Sequence, residues 1–210
     1  MNKILFIDTV TTGVNTEHCA IYKMGGIYVE GTAEKKRFDF HIHPFPYARI
    51  SDNSLWVSGE TRTSISKYPE EDEAFNDFVA FLDSVVSLKS PTDKLYLAGY
   101  NASAFDAVFL RELFKRQGST QFRNYFHVQV IDLMSLAAFV LMDRRSGMPD
   151  FCLENAAKYL GVEPTINKQY SCIDNAETCL KMYNMLRVEF CPAVKPIEFG
   201  NPDIETITNF

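Results

Sequence analysis

The chain has 210 residues, 46% hydrophobic and 23% charged, and its 21 Lys and Arg against 27 Asp and Glu leave a net charge of −6. That composition argues against a disordered chain, and the acidic balance against a sticky basic coat for nucleic acid. No apolar run approaches the ~18 residues a membrane span needs, so no membrane partner is expected. The length suits one compact domain with a real core. Cys19, Cys152, Cys172, Cys179 and Cys191 are odd in number and form no C-x-x-C pair, which is neither a disulfide framework nor a zinc motif. Only four apolar residues separate Lys3 from Asp8, too few for a secretory signal, and the expected location is cytoplasmic.

Residues 3–8 (KILFID) form a short apolar run ending in an acid, the pattern of a buried strand. Residues 19–29 and 36–43 alternate apolar and polar positions around Glu30-Gly31-Thr32-Ala33-Glu34, which predicts a hairpin. Residues 43–69, with Pro44, Pro46, Ser51, Asn53 and Gly59, read as a long loop, and loops of that length inside a compact domain are usually functional. After residue 70 the period changes to about 3.6: Phe75, Phe78, Val79, Leu82 and Val86 make one helical stripe behind an acidic start. A strand from Leu95 to Tyr100 follows, then a helix with Val108, Phe109, Leu113 and Phe114 on its inner side. A strand over Phe126–Ile131 leads to a mostly apolar helix over Leu133–Met142. Helices over Leu153–Leu160 and Ile173–Val188 complete a domain spanning 1–190. Residues 191–210, with Pro192, Pro196 and Pro202 and no period, read as an extended tail. Three strands followed by alternating helix and strand predict an α/β fold, helices covering a mixed sheet.

Three acids occupy similar places. Asp8 ends the first strand, Asp106 lies in the first turn of the helix after strand 95–100, and Asp174 lies in the first turn of the last helix. In an open α/β sheet, strand carboxyl ends and the adjoining helix starts converge on one crevice. Carboxylates gathered there repel one another unless a cation intervenes, and such oxygen ligands suit Mg²⁺ or Mn²⁺. Each acid taken singly also fits a capping role at a helix start.

The segments FIDTVTTG (6–13), GYNASAFDAVFL (99–110) and YSCIDNAETCLKMY (170–183) together resemble the three motifs of the DEDD-type 3′–5′ exonucleases. That family includes the proofreading epsilon subunit of bacterial DNA polymerase III, ribonuclease T and oligoribonuclease. Ser58-Gly59-Glu60-Thr61 stands where the family often has a His-Gly-Ile-Thr turn, and VIDLMSLA (130–137) resembles its strand-to-helix step between the second and third motifs. The resemblance implies a ribonuclease H-like fold with a five-stranded mixed sheet flanked by helices. It also implies two-metal hydrolysis of phosphodiesters at single-stranded DNA or RNA 3′ ends, using Mg²⁺ or Mn²⁺. Asp8 would bridge both ions, and Asp106 and Asp174 would hold one each.

Two departures stand out. The family's first motif is Asp-x-Glu, but here Val10 replaces the second acid. Its third motif carries a His five residues before the Asp or a Tyr four before it, to meet the attacking water; those positions hold Gln169 and Tyr170. Two readings therefore stay open: an exonuclease with a weakened metal site, and a catalytically inactive relative that binds nucleic acid or protein. The resemblance also assigns Thr11, Thr12 and Gly13 to the 3′-terminal nucleotide and matches Asn101 to a second-motif residue that shapes a turn. Trp56, Tyr100 and Phe105 are candidates for stacking on bases, with core packing the better reading of the last two. Arg111, Lys115 and Arg116 fit a solvated helix face better than a phosphate track, and His41 and His43 fit structural roles. A homodimer and a protein partner for the tail complete the expected contacts.

Overall fold

The structure is a computed structural model that describes residues 2–165, 170–191, 195–200 and 203–209. Its centre is a mixed sheet in the order β5-β4-β1-β2-β3-β6. The strands β1 (Lys3–Thr11), β2 (Ile21–Glu30) and β3 (Ala33–His41) pair antiparallel in succession. Strand β4 (Leu95–Gly99) runs parallel to β1, and β5 (Phe126–Asp132) runs parallel to β4. The sixth strand, β6 (Thr206–Thr208), lies parallel to β3. The sheet is therefore six-stranded rather than the expected five, because part of the C-terminal tail adds an edge strand. Asn209 continues that edge, its amide bonding to both the backbone N–H and the C=O of His41. Three residues are too few to carry a readable period, so the sequence showed only a tail.

Alternation along β1 sorts the two cores. Leu5 and Ile7 face one cluster with Phe78, Phe81, Phe109, Leu113 and Phe114, from α3 (Glu71–Asp83) and α4 (Asp106–Arg116). Ile4 and Phe6 face the other, with residues of α6 (Leu133–Val140), α7 (Leu153–Tyr159) and α8 (Cys172–Phe190). Phe6 meets Tyr183 of α8 edge-on, with ring centroids 5.4 Å apart. The short α5 (Phe122–Tyr125) leads into β5, and a 3₁₀ turn over Met142–Gly147 replaces the predicted end of the helix at Met142.

The expected loop over 43–69 is only partly a loop. It contains α1 (Asp52–Ser58) and α2 (Arg62–Ile65). The first is stopped by Gly59 in the left-handed conformation (φ 72°), and the second is started by a capping box between Thr61 and Ser64. Buried Leu55 and Ile65 pack these turns against Val10 at the end of β1 and Tyr22 at the start of β2.

Candidate active site

Even-numbered positions of β1 face α8, so Asp8 and Val10 share that side with residues directly across the sheet. The register sets Gly25 beside Asp8 and Lys23 beside Val10, with Asp39 and His41 one strand further along the same rows. Gly25 is needed here: a Cβ on it would stand 2.8 Å from the Cys172 Cβ and 3.0 Å from the Ile173 N. That close approach lays the start of α8 on this row. Ser171 caps the helix, accepting from the Asp174 N–H at 3.3 Å.

Asp8 and Asp174 line one cavity of about 530 Å³, together with Tyr100, Glu154, Thr165, Tyr170 and Asn175, among others. Within it Asp8 is already engaged. The Tyr170 hydroxyl donates to Asp8 Oδ2 at 2.9 Å, and Asn175 Nδ2 donates to the same oxygen at 3.2 Å and to the Tyr170 oxygen at 2.8 Å. The nearby Cys172 thiol adds slightly to these donors in holding the Asp8 carboxyl down. Asp106 starts α4 on the opposite side of β1 and is buried, with the Thr9 hydroxyl donating to its Oδ1 at 2.7 Å. Burial holds both carboxyls above the ordinary carboxylate range, and for Asp106 the nearby Asp8 charge adds to it. Burial and the Asp8 charge likewise push the Tyr170 hydroxyl far up, so it remains a donor.

These groups accommodate divalent metal only in part. The Asp8 charge acts on Asp106, and Asp8 shares a cavity with Asp174, a donor set suited to one hard cation. Among the described residues, however, no three His, Cys, Asp or Glu side chains stand close enough to hold an ion as they are. A second ion fits worse. Val10 is 8% exposed and lies in an apolar cluster with Tyr22, Leu55, Ile65 and Cys172. Its cross-strand neighbour Lys23 forms an ion pair with Glu60. Two-ion chemistry does not fit this constellation.

The remaining sequence candidates fall into distinct places. Thr12 is fully buried, its backbone N–H and side-chain Oγ1 both joined to Ala20, and the Thr11 hydroxyl donates to the Gly13 carbonyl at 2.7 Å. A Cβ on Gly13 would approach the Cys19 Sγ to 2.7 Å. Asn101 is exposed at φ 62°, in the left-handed region where Asn is tolerated, and shapes the turn before α4. Gln169 lies outside the described residues. Trp56 is 79% exposed, while Phe105 packs against Phe109 in the core and the Tyr100 hydroxyl donates to the Phe151 carbonyl. Arg116 pairs with Glu71 and lies over the Phe45 ring, and Lys115 pairs with Glu112.

Sequence reasoning missed Lys23, Glu60, Asn175 and Asp132. The Asp132 carboxylate accepts from the Asn101 and Ser103 backbone N–H groups at 3.2 and 3.0 Å and from the Ser103 hydroxyl at 2.5 Å. It also caps α6 through Met134 N and Ser135 N at 3.0 and 3.3 Å. One side chain thus ties the turn that delivers Asp106 to the end of β5. The only available signal was an acid just before an apolar helical run, VIDLMSLA.

The sheet order and the acids at its strand ends define a ribonuclease H-like nuclease fold. The sequence profile of the exonuclease family, RNase T type, matches residues 5–166, and the chain belongs to that family. Among solved structures it is similar to exonuclease I, with a TM-score of 0.70 at 18% identity, covering 92% of this chain and 42% of that one. A zinc-bound complex of E. coli exonuclease I with single-stranded DNA gives a TM-score of 0.68 at 18% identity, covering 92% of this chain and 42% of that one. A product-bound exonuclease I gives 0.68 at 18% identity, with 90% and 44% covered. The chain therefore spans less than half the length of exonuclease I, and at this identity the likeness is one of fold. No curated protein matches it by sequence.

Proposed function

We propose that this chain engages 3′ ends of single-stranded DNA or RNA in the cavity between Asp8 and Asp174, as a binding domain whose hydrolysis is far weaker than that of a two-ion exonuclease. One Mg²⁺ or Mn²⁺ ion, held by Asp8 with Asp106 and Asp174, would supply the positive charge that lets a phosphodiester approach these acids. Two side chains would have to make room: Tyr170 would release Asp8 Oδ2, and Asn175 would follow it. The observation that carries this reading is the apolar setting of Val10, which leaves no carboxylate on β1 for a second ion. The ancestry supports a nucleic-acid ligand, and E. coli exonuclease I has been seen with single-stranded oligonucleotides in complex. Exposed Trp56 lies on α1 next to Val57, which lines the cavity, and is a platform for an unstacked base.

The retained aspartates favour a second reading, an exonuclease in which Tyr170 positions water. An end-labelled single-stranded oligonucleotide incubated with Mn²⁺ separates the two. Retention of the probe without shortening supports the binding domain. Stepwise shortening that Asp106→Asn abolishes supports the enzyme.

A further inference from the structure

Four carboxylates and one ammonium meet on the α8 side of the sheet. Asp8, Asp39 and Lys23 project from neighbouring strands, Asp174 comes from α8, and Glu60 comes from the link between α1 and α2. Lys23 and Glu60 have side chains only 13% and 14% exposed and form an ion pair. Glu60 is further fixed by the Ser64 hydroxyl at 2.5 Å and by Tyr68. Burial raises the Asp39 carboxyl above its ordinary value, against the pull of Lys23 and with the push of Asp174. His41, on the same row, is held neutral by burial and by Lys23, its pKa lowered to about 4. Arg37, farther along β3, is taken up by Glu34 and Glu177. Among the described residues, Lys23 is thus a cation that faces these acids directly beside Val10.

We propose that Lys23 is a built-in cation that closes the place beside Val10 to a second divalent ion, by binding Glu60, the carboxylate best placed to serve there. The inference rests on reading the Asp8 cavity as a cation-assisted nucleic-acid site. An ammonium held by an anionic partner in a half-buried setting does locally what a bound metal would do, neutralising converging carboxylates, but it offers no open coordination position. The loss of the acid at position 10 and the presence of Lys23 across from it are then one arrangement. With Val10 supplying no charge, an unpaired Lys23 would be a buried cation, and Glu60 prevents that.

The test is Mn²⁺ stoichiometry, read by calorimetry and by the free-ion electron paramagnetic resonance signal on the full chain. The wild type binds one ion. Lys23→Gln, which releases Glu60, binds two, and Lys23→Gln/Glu60→Gln returns to one. Glu60→Gln alone leaves the ammonium unneutralised near Asp8 and Asp39, and weakens the first ion about tenfold or more. That variant decides the matter should Lys23→Gln fail to fold. Two ions in the wild type, one ion in both the wild type and folded Lys23→Gln, or unchanged affinity in Glu60→Gln each overturn the proposal. No ion in the wild type but one in Lys23→Gln upholds the role of Lys23 while refuting the one-ion reading of the cavity. No ion in either refutes both.

Discussion

Asp132→Ala removes a carboxylate that accepts five hydrogen bonds: two from the backbone of the turn before α4, one from the Ser103 hydroxyl and two from the first turn of α6. Loss of the helix cap costs about 1 kcal/mol. Orphaning the turn donors costs ~1–3 kcal/mol each when they are buried. Asn101 and Ser103 are exposed, so water replaces part of that loss and the lower end applies. The expected total is about 3 kcal/mol, which for a chain of this size lowers Tm by roughly 6–12 °C. Asp132→Asn keeps one acceptor oxygen and should lose about half as much. Urea denaturation followed by circular dichroism measures both. A loss below about 1 kcal/mol for the alanine variant, with an unchanged m value, would show that the turn holds itself and that Asp132 does not anchor it.

Three further outcomes are expected. Gly99→Ala places a Cβ 2.6 Å from the Ile7 carbonyl oxygen and 3.0 Å from the Ala102 Cβ. A backbone atom cannot swing aside as a side chain does, so the variant should lose at least about 2 kcal/mol, read by thermal melting. Because Asp106 keeps its proton in the folded state to higher pH than in the unfolded chain, its contribution to stability falls as pH rises from the unfolded carboxylate range toward its raised folded pKa. His41 acts oppositely between its folded value of about 4 and its unfolded 6.5, so the readout is the difference between wild type and Asp106→Asn. The wild type should lose Tm relative to the variant over that rise, and Mn²⁺ should restore it at the upper end only. Val10→Glu puts a carboxylate among Tyr22, Leu55 and Ile65 beside a Lys23 already committed to Glu60. It should destabilise by about 2–4 kcal/mol without metal and regain part of that with Mn²⁺, monitored by denaturant melts.

Much of this arrangement was legible because it is local. The run KILFID, the stripe Phe75–Phe78–Leu82 and the acids at strand ends follow from periodicity and position. The helices within 43–69 were not legible because Pro44 and Pro46 dominate the segment and each helix is only one or two turns long. Gly59 and the Thr61/Ser64 pair were nonetheless signals at hand. The Lys23–Glu60 pair joins residues 37 positions apart, and Asn175 reaches Asp8 across 167 positions. Such contacts depend on register and helix placement, which no short pattern encodes. The acids and Tyr170 were visible, then, while Asn175 and the Lys23–Glu60 pair were not.

Binding and hydrolysis by this chain are separated by the fate of an end-labelled single-stranded oligonucleotide with the full chain in Mn²⁺, scored for binding and for shortening in the same samples. A binding domain retains a full-length probe, and Asp8→Asn weakens that binding. Rapid stepwise shortening by the wild type, lost in Asp106→Asn, would contradict that outcome and make this chain a working exonuclease despite Val10.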